Sequence, residues 1–320
     1  MRVIVAGASG AIGRALVPAL LARGHEVAGL VRSEEGGASV ADQGAEPLIA
    51  DALEPLAVMA SFERFRPDAV AHQLTALTAV VDLRDFDAAF AKTNALRTRG
   101  TDNLIAAARH VGVRRFLAQS FCGWPYARVG GPVKTEDDPL DPNPPAAFRR
   151  TLAAIRYLED AVTTAKGLNG ICLRYGGFYG PGTSLSANGA IIEQVRRRRF
   201  PIIGRGGGVW SFIHIADAAS ATIAALEAEE LGVFNVVDDE PAPVAAWLPV
   251  LAAAVGAKPP LHLPAFLGRL ILPHHLYVMM TDIRGASNTR FKDTFAWRPA
   301  WPTWREGFQR GLRSMGPAHA

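Results

Sequence analysis

The chain has 320 residues, of which 49% are hydrophobic and 20% charged, and its formal net charge is +4. This composition excludes a disordered protein, and the length suits two small domains or one large α/β unit with a cap. The charge excess is too small and dispersed to indicate a nucleic-acid partner. The two cysteines lack metal-ligand spacing, and no run of 18 apolar residues is free of charge and proline. We therefore expect no metal site and no membrane segment. We also expect a cytoplasmic protein, since a glycine motif stands where a signal peptide would be.

Apolar and amphipathic segments alternate along the chain. Residues 3–6 form a short apolar run, and residues 11–23 then carry leucines at helical spacing and stop at Gly24. Further strands are predicted at 25–31, 46–50, 68–72, 115–119 and 170–174, and long helices at about 86–110 and 146–165. This alternation predicts an α/β fold with a doubly wound parallel sheet of the Rossmann type.

The composition changes near Tyr175, where Gly, Pro, Ser and Asn become frequent. We interpret the change as the start of a second, smaller domain of irregular α+β structure. The predicted parts are a dinucleotide-binding domain at 1–175, to which 209–238 return, a substrate-binding cap at 176–208 and 239–311, and a loose tail at 312–320.

The loop after the first strand reads G-A-S-G-A-I-G at residues 7–13. Gly7 permits a tight turn, Gly10 lets the backbone approach a pyrophosphate, and Gly13 lets the helix pack closely on the sheet. The free N–H groups and the dipole at the helix start favour phosphates. Because the glycines follow a strand and open a helix, they predict a dinucleotide site. Its predicted residues in this loop are Gly7, Ser9, Gly10, Ala11, Ile12 and Gly13.

The G-x-x-G-x-x-G spacing resembles the short-chain dehydrogenase/reductase superfamily in its extended form, which includes sugar-nucleotide epimerases, dehydratases and hydroxysteroid dehydrogenases. The likeness extends over nearly the whole chain. Its other segments are residues 51–53, 68–72, 100–104, 173–182, 212–219 and 233–236. The resemblance implies a nicotinamide dinucleotide cofactor whose adenine meets Asp51, Ala52 and Leu53.

The end of the second strand distinguishes the two nicotinamide cofactors. A carboxylate there would bind the free ribose 2′-hydroxyl of NAD, but this chain has Val31 followed by Arg32. A guanidinium can hold a 2′-phosphate, and no carboxylate repels it. We therefore predict NADP(H) rather than NAD(H). The alternative is that Arg32 is a surface residue paired with Glu34 or Glu35.

The proton-transfer half of the resemblance is missing. Enzymes of the superfamily use a Tyr-x-x-x-Lys pair, in which the lysine lowers the tyrosine pKa. No lysine stands four residues after any tyrosine of this chain; the tyrosines are Tyr126, Tyr157, Tyr175, Tyr179 and Tyr277. If Glu159 matches the family glutamate, Ile155 takes the lysine position and Thr151 the tyrosine position. Phe121 replaces the second serine after strand five, and Arg97 replaces an asparagine before the Gly-Thr step.

Three residues are candidates for the hydrogen bond that the missing pair would supply. Ser120 follows strand five near the expected nicotinamide, although it could simply cap a turn. Tyr126 lies in the next loop and could instead pack over the pocket. Tyr175 follows Arg174 beside the expected carboxamide and could instead hold the nicotinamide.

The favoured hypothesis is an NADP(H)-binding oxidoreductase that exchanges a hydride with a small carbonyl or alcohol substrate selected by the cap. One alternative is an epimerase, dehydratase or isomerase that recycles its cofactor. Another is a non-catalytic regulatory protein that senses NADPH. The resemblance also implies a possible homodimer through the two long helices, with a seam predicted to contain Leu104, Ile105, Leu152 and Leu158.

Overall fold

A computed structural model describes residues 1–77, 83–313 and 315–316. Its centre is a seven-stranded parallel sheet, and the strands are β1 (Arg2–Ala6), β2 (Glu26–Val31), β3 (Glu46–Ile49), β4 (Ala69–His72), β5 (Arg115–Phe121), β6 (Asn169–Tyr175) and β7 (Gly232–Val236). The order across the sheet is β7-β6-β5-β4-β1-β2-β3. The predicted doubly wound α/β fold is therefore confirmed.

Helices cover both faces of the sheet and build the cap. They are α1 (Ala11–Ala22), α2 (Glu34–Asp42), α3 (Pro55–Phe65), α4 (Phe86–Ala95), α5 (Thr101–Val111), α6 (Arg149–Thr163), α7 (Ala190–Arg196), α8 (Ile215–Glu227), α9 (Val244–Ala254), α10 (Ala265–Ile271), α11 (His274–Thr281), α12 (Thr289–Phe295) and α13 (Trp304–Glu306). None of them, within the described ranges, is long and apolar enough to cross a bilayer.

Strand β1 shows why the central strands are continuously apolar. Val3 and Val5 pack into the core beneath α1 and α8, whereas Ile4 points into the core beneath α3 and α5. Successive side chains of a strand alternate between the two faces, and helices bury both faces of this sheet. A strand of this kind therefore needs apolar residues at every position.

The predicted helix at 86–110 is interrupted in the structure. Helix α4 ends at Ala95, a π-helical turn spans Leu96–Gly100, and α5 begins at Thr101. Such turns are rare and occur often at functional sites. The turn carries Arg97 and packs against α6.

The C-terminal third of the chain is shared between the cap and the sheet. Helix α12 lies against β7, where Phe291 and Phe295 contact Phe234 at ring-centroid distances of 6.2 and 5.0 Å. The sequence assigned all of 239–311 to the cap, whereas α12 packs on the outermost strand of the sheet. The reason is that these aromatic side chains complete the core of the outermost strand.

The cap has its own apolar core, and Leu312, the first residue of the predicted loose tail, is part of it. Leu312 is 6% exposed, packs among the cap residues, and accepts a hydrogen bond on its carbonyl from the Ala187 N–H at 3.2 Å. The backbone is therefore held at this residue. Residues 314 and 317–320 of the predicted tail lie outside the described residues.

The residues predicted for a dimer seam are buried within one chain. Leu104, Ile105 and Leu158 pack beneath the sheet, and Leu152 packs in an aromatic cluster near α4. All four are at most 8% exposed, so they have no surface to offer to a partner. The choice of these seam residues was wrong, and the dimer itself stays a prediction.

A buried carboxylate connects α8 to the C-terminal segment. Asp217 accepts hydrogen bonds from the backbone N–H groups of Ala300 and Trp301 at 2.8 and 2.9 Å. Burial raises the pKa of Asp217 from 3.8 to about 6, despite these two bonds. The folded protein therefore prefers the protonated acid more strongly than the unfolded chain does.

This preference predicts a pH-dependent stability. Between about pH 4 and pH 6 the folded state holds a proton on Asp217 that the unfolded chain has lost, so stability falls as the pH rises through this window. Relative to D217N, we expect the free energy of unfolding of the wild type to fall by about 2–3 kcal/mol across it. Urea titrations of both proteins at several pH values measure this difference, and parallel pH profiles would contradict it.

Candidate active site

A cleft of about 520 Å³ lies at the carboxyl ends of the central strands. This is where a doubly wound sheet binds its ligand, because the chain reverses its winding direction there. A larger and shallower groove of about 880 Å³ lies between α1 and α8. Alanine is the commonest residue of its walls, whereas the glycine loop and residues at the strand ends line the smaller cleft, so we place the site in the smaller cleft.

Most of the predicted cofactor residues line this cleft; they are Gly7, Ser9, Gly10, Ala11, Ile12, Arg32, Asp51 and Ala52. Leu53 and Gly13 do not line it. The N–H of Leu53 donates to the Asp51 carboxylate at 3.0 Å. Gly13 lies where α1 packs under the loop, and a Cβ there would stand 2.3 Å from the carbonyl oxygen of Ala8.

The glycine loop has the shape and polarity that a pyrophosphate requires. Gly7 has a φ of +92°, and a Cβ on it would stand 2.9 Å from the carbonyl oxygen of Gln73. Helix α1 begins after Gly10 with no side-chain cap and no acidic residue in its first turn. The N–H groups of this turn are available to phosphate oxygens, so the residues present fit a dinucleotide.

Arg32 is exposed at the edge of the cleft. It forms no ion pair with Glu34 or Glu35 in the part of the chain that the structure describes, so the surface-pair alternative has no support. Ser33 next to it caps α2 by accepting a hydrogen bond from the Gly36 N–H at 3.2 Å. The end of β2 thus presents one cation and no carboxylate to the cleft wall.

Two of the predicted hydrogen-bond donors belong to a buried network outside the cleft. Ser120 donates to Glu159 at 2.6 Å, and Glu159 receives two bonds from Arg174 at 2.7 Å each. Arg174 also donates to Tyr126 Oη at 3.1 Å, and that hydroxyl donates to Asn235 at 2.6 Å. Burial raises the pKa of Tyr126. Neither Ser120 nor Tyr126 lines the cleft, and the place of Ser120 near the nicotinamide stays a prediction.

The third predicted donor is turned away from the ligand side. Tyr175 lines the cleft, but its hydroxyl shares a hydrogen bond with Thr222 of α8 at 2.6 Å. Burial raises the pKa of this phenol above its usual range. The structure therefore does not bring Ser120, Tyr126 and Tyr175 together, and each hydroxyl already has a partner.

The three positions of the family's proton relay hold no replacement acid. Thr151 accepts a hydrogen bond from the Asn94 amide at 3.1 Å and is fully buried. Ile155 packs with aromatic side chains, and only Phe121 reaches the cleft. Threonine is too weak an acid to donate a proton unaided, and phenylalanine and isoleucine have none to give.

Sequence reasoning missed several polar side chains of the cleft. Gln73 and Gln119 line it, and buried amide atoms of both make no hydrogen bond of ordinary geometry, although Gln73 lies close to the Tyr175 hydroxyl. Lys92 lines the same wall from α4. Their positions in the sequence could have indicated that they line the site, since Gln73 directly follows β4 and Gln119 is near the end of β5.

Arg97 was noticed as a replacement but not as a site residue. It lines the cleft and is 4% exposed, and neither its Nε nor its Nη1 has a hydrogen-bond partner. Burial lowers its pKa to about 10, so it stays charged at neutral pH. A buried charge without a close partner is costly and typical of a functional position.

Aromatic side chains form a cluster next to Phe121, at the far end of the cleft from Arg32. Trp124 lies 6.4 Å from Phe121 and 4.4 Å from Phe148 between ring centroids. Phe86 contacts Phe148 at 4.8 Å and stacks on Phe90 at 4.1 Å. These rings are packed on one another, those of Phe86, Trp124 and Phe148 are almost entirely buried, and Phe121 is the member of the cluster that lines the cleft. No group of three metal-ligating side chains occurs within the described ranges.

Known proteins resemble this chain over most of its length. It is 44% identical over 311 residues to a 3-diazoavenalumate denitrifying reductase from a Streptomyces species, covering 97% of this chain and 100% of that protein. It is 30% identical to a 4-hydroxy-2-methyl-3-oxo-4-farnesyl-3,4-dihydroquinoline-1-oxide ketoreductase from Stigmatella aurantiaca, covering 81% and 74% of the two chains. The Thermus thermophilus UDP-glucose 4-epimerase, solved in complex with NAD, has a TM-score of 0.72 at 27% identity over 98% of both chains.

These similarities confirm that the protein is an oxidoreductase or epimerase-like enzyme. Residues 3–236 match the NAD dependent epimerase/dehydratase family, which confirms the resemblance seen in the glycine loop and the later segments. The cofactor-binding half of that pattern is retained here and the tyrosine–lysine pair is not. The chain belongs to the NAD dependent epimerase/dehydratase family, as an extended short-chain dehydrogenase/reductase without the usual proton relay.

Proposed function

We propose that the protein is an NADPH-dependent reductase that replaces the diazo group of an aromatic substrate by hydrogen and releases N2. One observation carries the proposal: the cleft keeps its dinucleotide residues while Phe121, Thr151 and Ile155 occupy the positions of the proton relay. The 44% identity to a reductase named for a diazo compound supports the same chemistry.

The proton balance explains why the relay is dispensable. When bound, the reduced nicotinamide supplies a hydride to the substrate carbon. In a diazo compound the C–N bond breaks as the C–H bond forms, and N2 leaves with the electron pair of the C–N bond. No proton is needed at that carbon. A ketone would instead become an alkoxide and need a proton, for which Phe121 and Ile155 offer none.

The surroundings of Phe121 support an aromatic substrate. Phe121 lines the cleft, Trp124 lies 6.4 Å from it between ring centroids, and the Phe121 ring could pack against a flat ring of the substrate. From the cap, Thr183 and Ser184 contribute to the cleft wall. Under this proposal the aromatic cluster and these cap residues select the substrate.

The preference for NADPH rests on Arg32. A 2′-phosphate beside an exposed guanidinium without an internal partner gains charge-assisted hydrogen bonds, and no carboxylate at the end of β2 opposes it. The family also contains NAD-binding members, such as the Thermus enzyme. The identity of the residue after β2 is therefore the discriminating feature.

Substituting Arg32 tests this preference. In R32A we expect the Kd for NADPH to rise about 10- to 100-fold because one charged contact to the 2′-phosphate is lost, while the Kd for NADH changes less than about threefold. Isothermal titration calorimetry measures both values. R99A, which removes an exposed cation that does not line the cleft, is the control and should leave both values unchanged. An unchanged NADPH affinity in R32A would refute the argument.

The reaction itself is tested with an ortho-quinone diazide and NADPH carrying deuterium at the transferable position. We expect one N2 for each NADPH oxidised, and product deuterium at the former diazo carbon. The same reaction in D2O with unlabelled NADPH should place none there. Mass spectrometry and absorbance measure these quantities, with heat-inactivated enzyme as the blank. T151V should keep its kcat within about threefold, because no proton passes through Thr151.

Other results would replace the proposal. NADPH oxidation by ketones but not by the diazide would identify a ketone reductase, as the Stigmatella relative suggests. Product formation without net cofactor consumption would identify an epimerase or dehydratase. Tight NADPH binding without turnover of any compound would favour the regulatory alternative.

A further inference from the structure

Arg97 is the buried one of the cations that line the cleft, and it forms no ion pair with the residues that the structure describes. Arg97 and Arg174 both lie near Glu159, but Glu159 is held by two hydrogen bonds to Arg174 and one from Ser120. Two guanidinium groups and one carboxylate leave a net charge of +1, and Arg97 carries it at the cleft wall. His72 is the other titratable group near Arg97, and burial together with Arg97 lowers its pKa to about 4, so it is neutral.

Hydrogen bonds between the helices fix the position of Arg97 along α6. Asn94 contacts Thr151, and Asp102 accepts a bond from Tyr157 at 2.7 Å. These two contacts align α4 and α5 with α6, so Arg97 lies between the levels of Thr151 and Tyr157. Side chains of a helix point back towards its N-terminus, which is the ligand side of this sheet. The guanidinium is thus beside the place where the family's tyrosine and lysine would be.

Residues on one face of α4 connect the aromatic cluster to the segment that carries Arg97. Phe86, Phe90 and Asn94 follow one another at intervals of four residues, which places them on the same side of α4, and Arg97 follows in the π-helical turn. A ligand in the cleft would meet the ring of Phe121, which borders the aromatic cluster. It would also meet the guanidinium of Arg97, whose Nε and Nη1 have no hydrogen-bond partner among the described residues. An aromatic side chain and a cation in the same cleft fit a ligand that consists of an aromatic ring bearing a negative oxygen.

We infer that Arg97 stabilises the negative charge that develops on a substrate oxygen attached to the ring carbon next to the diazo carbon. The inference rests on the proposed function and names its substrate class, the ortho-quinone diazides. When a hydride replaces N2 in such a compound, the ring carbonyl becomes a phenolate. A fixed, desolvated cation favours this oxygen more strongly after the reaction than before it.

The first test measures a bound phenol rather than turnover. 4-Nitrophenol is titrated on the protein saturated with NADP+, and its absorbance reports ionisation. We expect its pKa on the wild type to be lower than in water by about one to three pH units, as for an acid next to a fixed cation. R97M should abolish this difference and R97K should keep most of it. R99M removes an exposed cation two residues away and should behave as the wild type.

The second test uses stability and kinetics. Because methionine replaces an unpaired buried charge by an apolar group of similar length, R97M should raise Tm by at least about 2 °C. With an ortho-quinone diazide its kcat should fall about 100-fold, while the Kd for NADP+ changes less than threefold. R97K should lose about tenfold.

The outcomes separate this inference from the proposed function. A lowered nitrophenol pKa that depends on Arg97 supports the anion site even if no diazide is reduced. Wild-type protein that does not bind 4-nitrophenol, or binds it with an unaltered pKa, overturns the inference even if diazides are reduced. A lower Tm for R97M overturns it as well, since the arginine would then be structural. So does a loss of NADP+ affinity above tenfold, since Arg97 would then hold the cofactor.

Discussion

The ion pair between Glu159 and Arg174 governs the interior of this site. It joins α6 to β6 through two hydrogen bonds of 2.7 Å, and both side chains are almost entirely buried. Removing one member of such a pair would leave an uncompensated charge, which typically costs about 3–5 kcal/mol. The pair also engages Ser120 and Tyr126, so it commits two hydroxyl groups that would otherwise be candidates for catalysis.

The cleft wall next to this pair combines Phe121 and the amides of Gln73 and Gln119 with the buried cation of Arg97. Phe121 and the neighbouring aromatic rings exclude water, and Arg97 is charged but cannot act as a proton donor near neutral pH. Low polarity around a fixed charge strengthens its effect on an anionic oxygen. The arrangement suits a reaction in which charge moves and no proton is delivered. A retained cofactor site and a lost proton relay are therefore compatible within one enzyme.

The π-helical turn at Leu96–Gly100 has a stability cost and a functional consequence. Its irregular backbone places Arg97 against the cleft, where the guanidinium is desolvated without a hydrogen-bond partner at Nε or Nη1. Natural proteins accept such local losses at functional sites and balance them elsewhere. Here the balance comes from the two continuous apolar cores on either side of the sheet.

The sequence by itself determined the alternation of strands and helices, the glycine loop and the absence of the tyrosine–lysine pair, because these are patterns of neighbouring residues. Only the tertiary structure showed that Ser120 faces α6 and that the Tyr175 hydroxyl meets Thr222, because the face of a strand and the partner of a buried hydroxyl depend on distant packing. The unpaired state of Arg97 is also a tertiary property. It depends on Glu159 having been taken by Arg174, a choice made between side chains from three different elements.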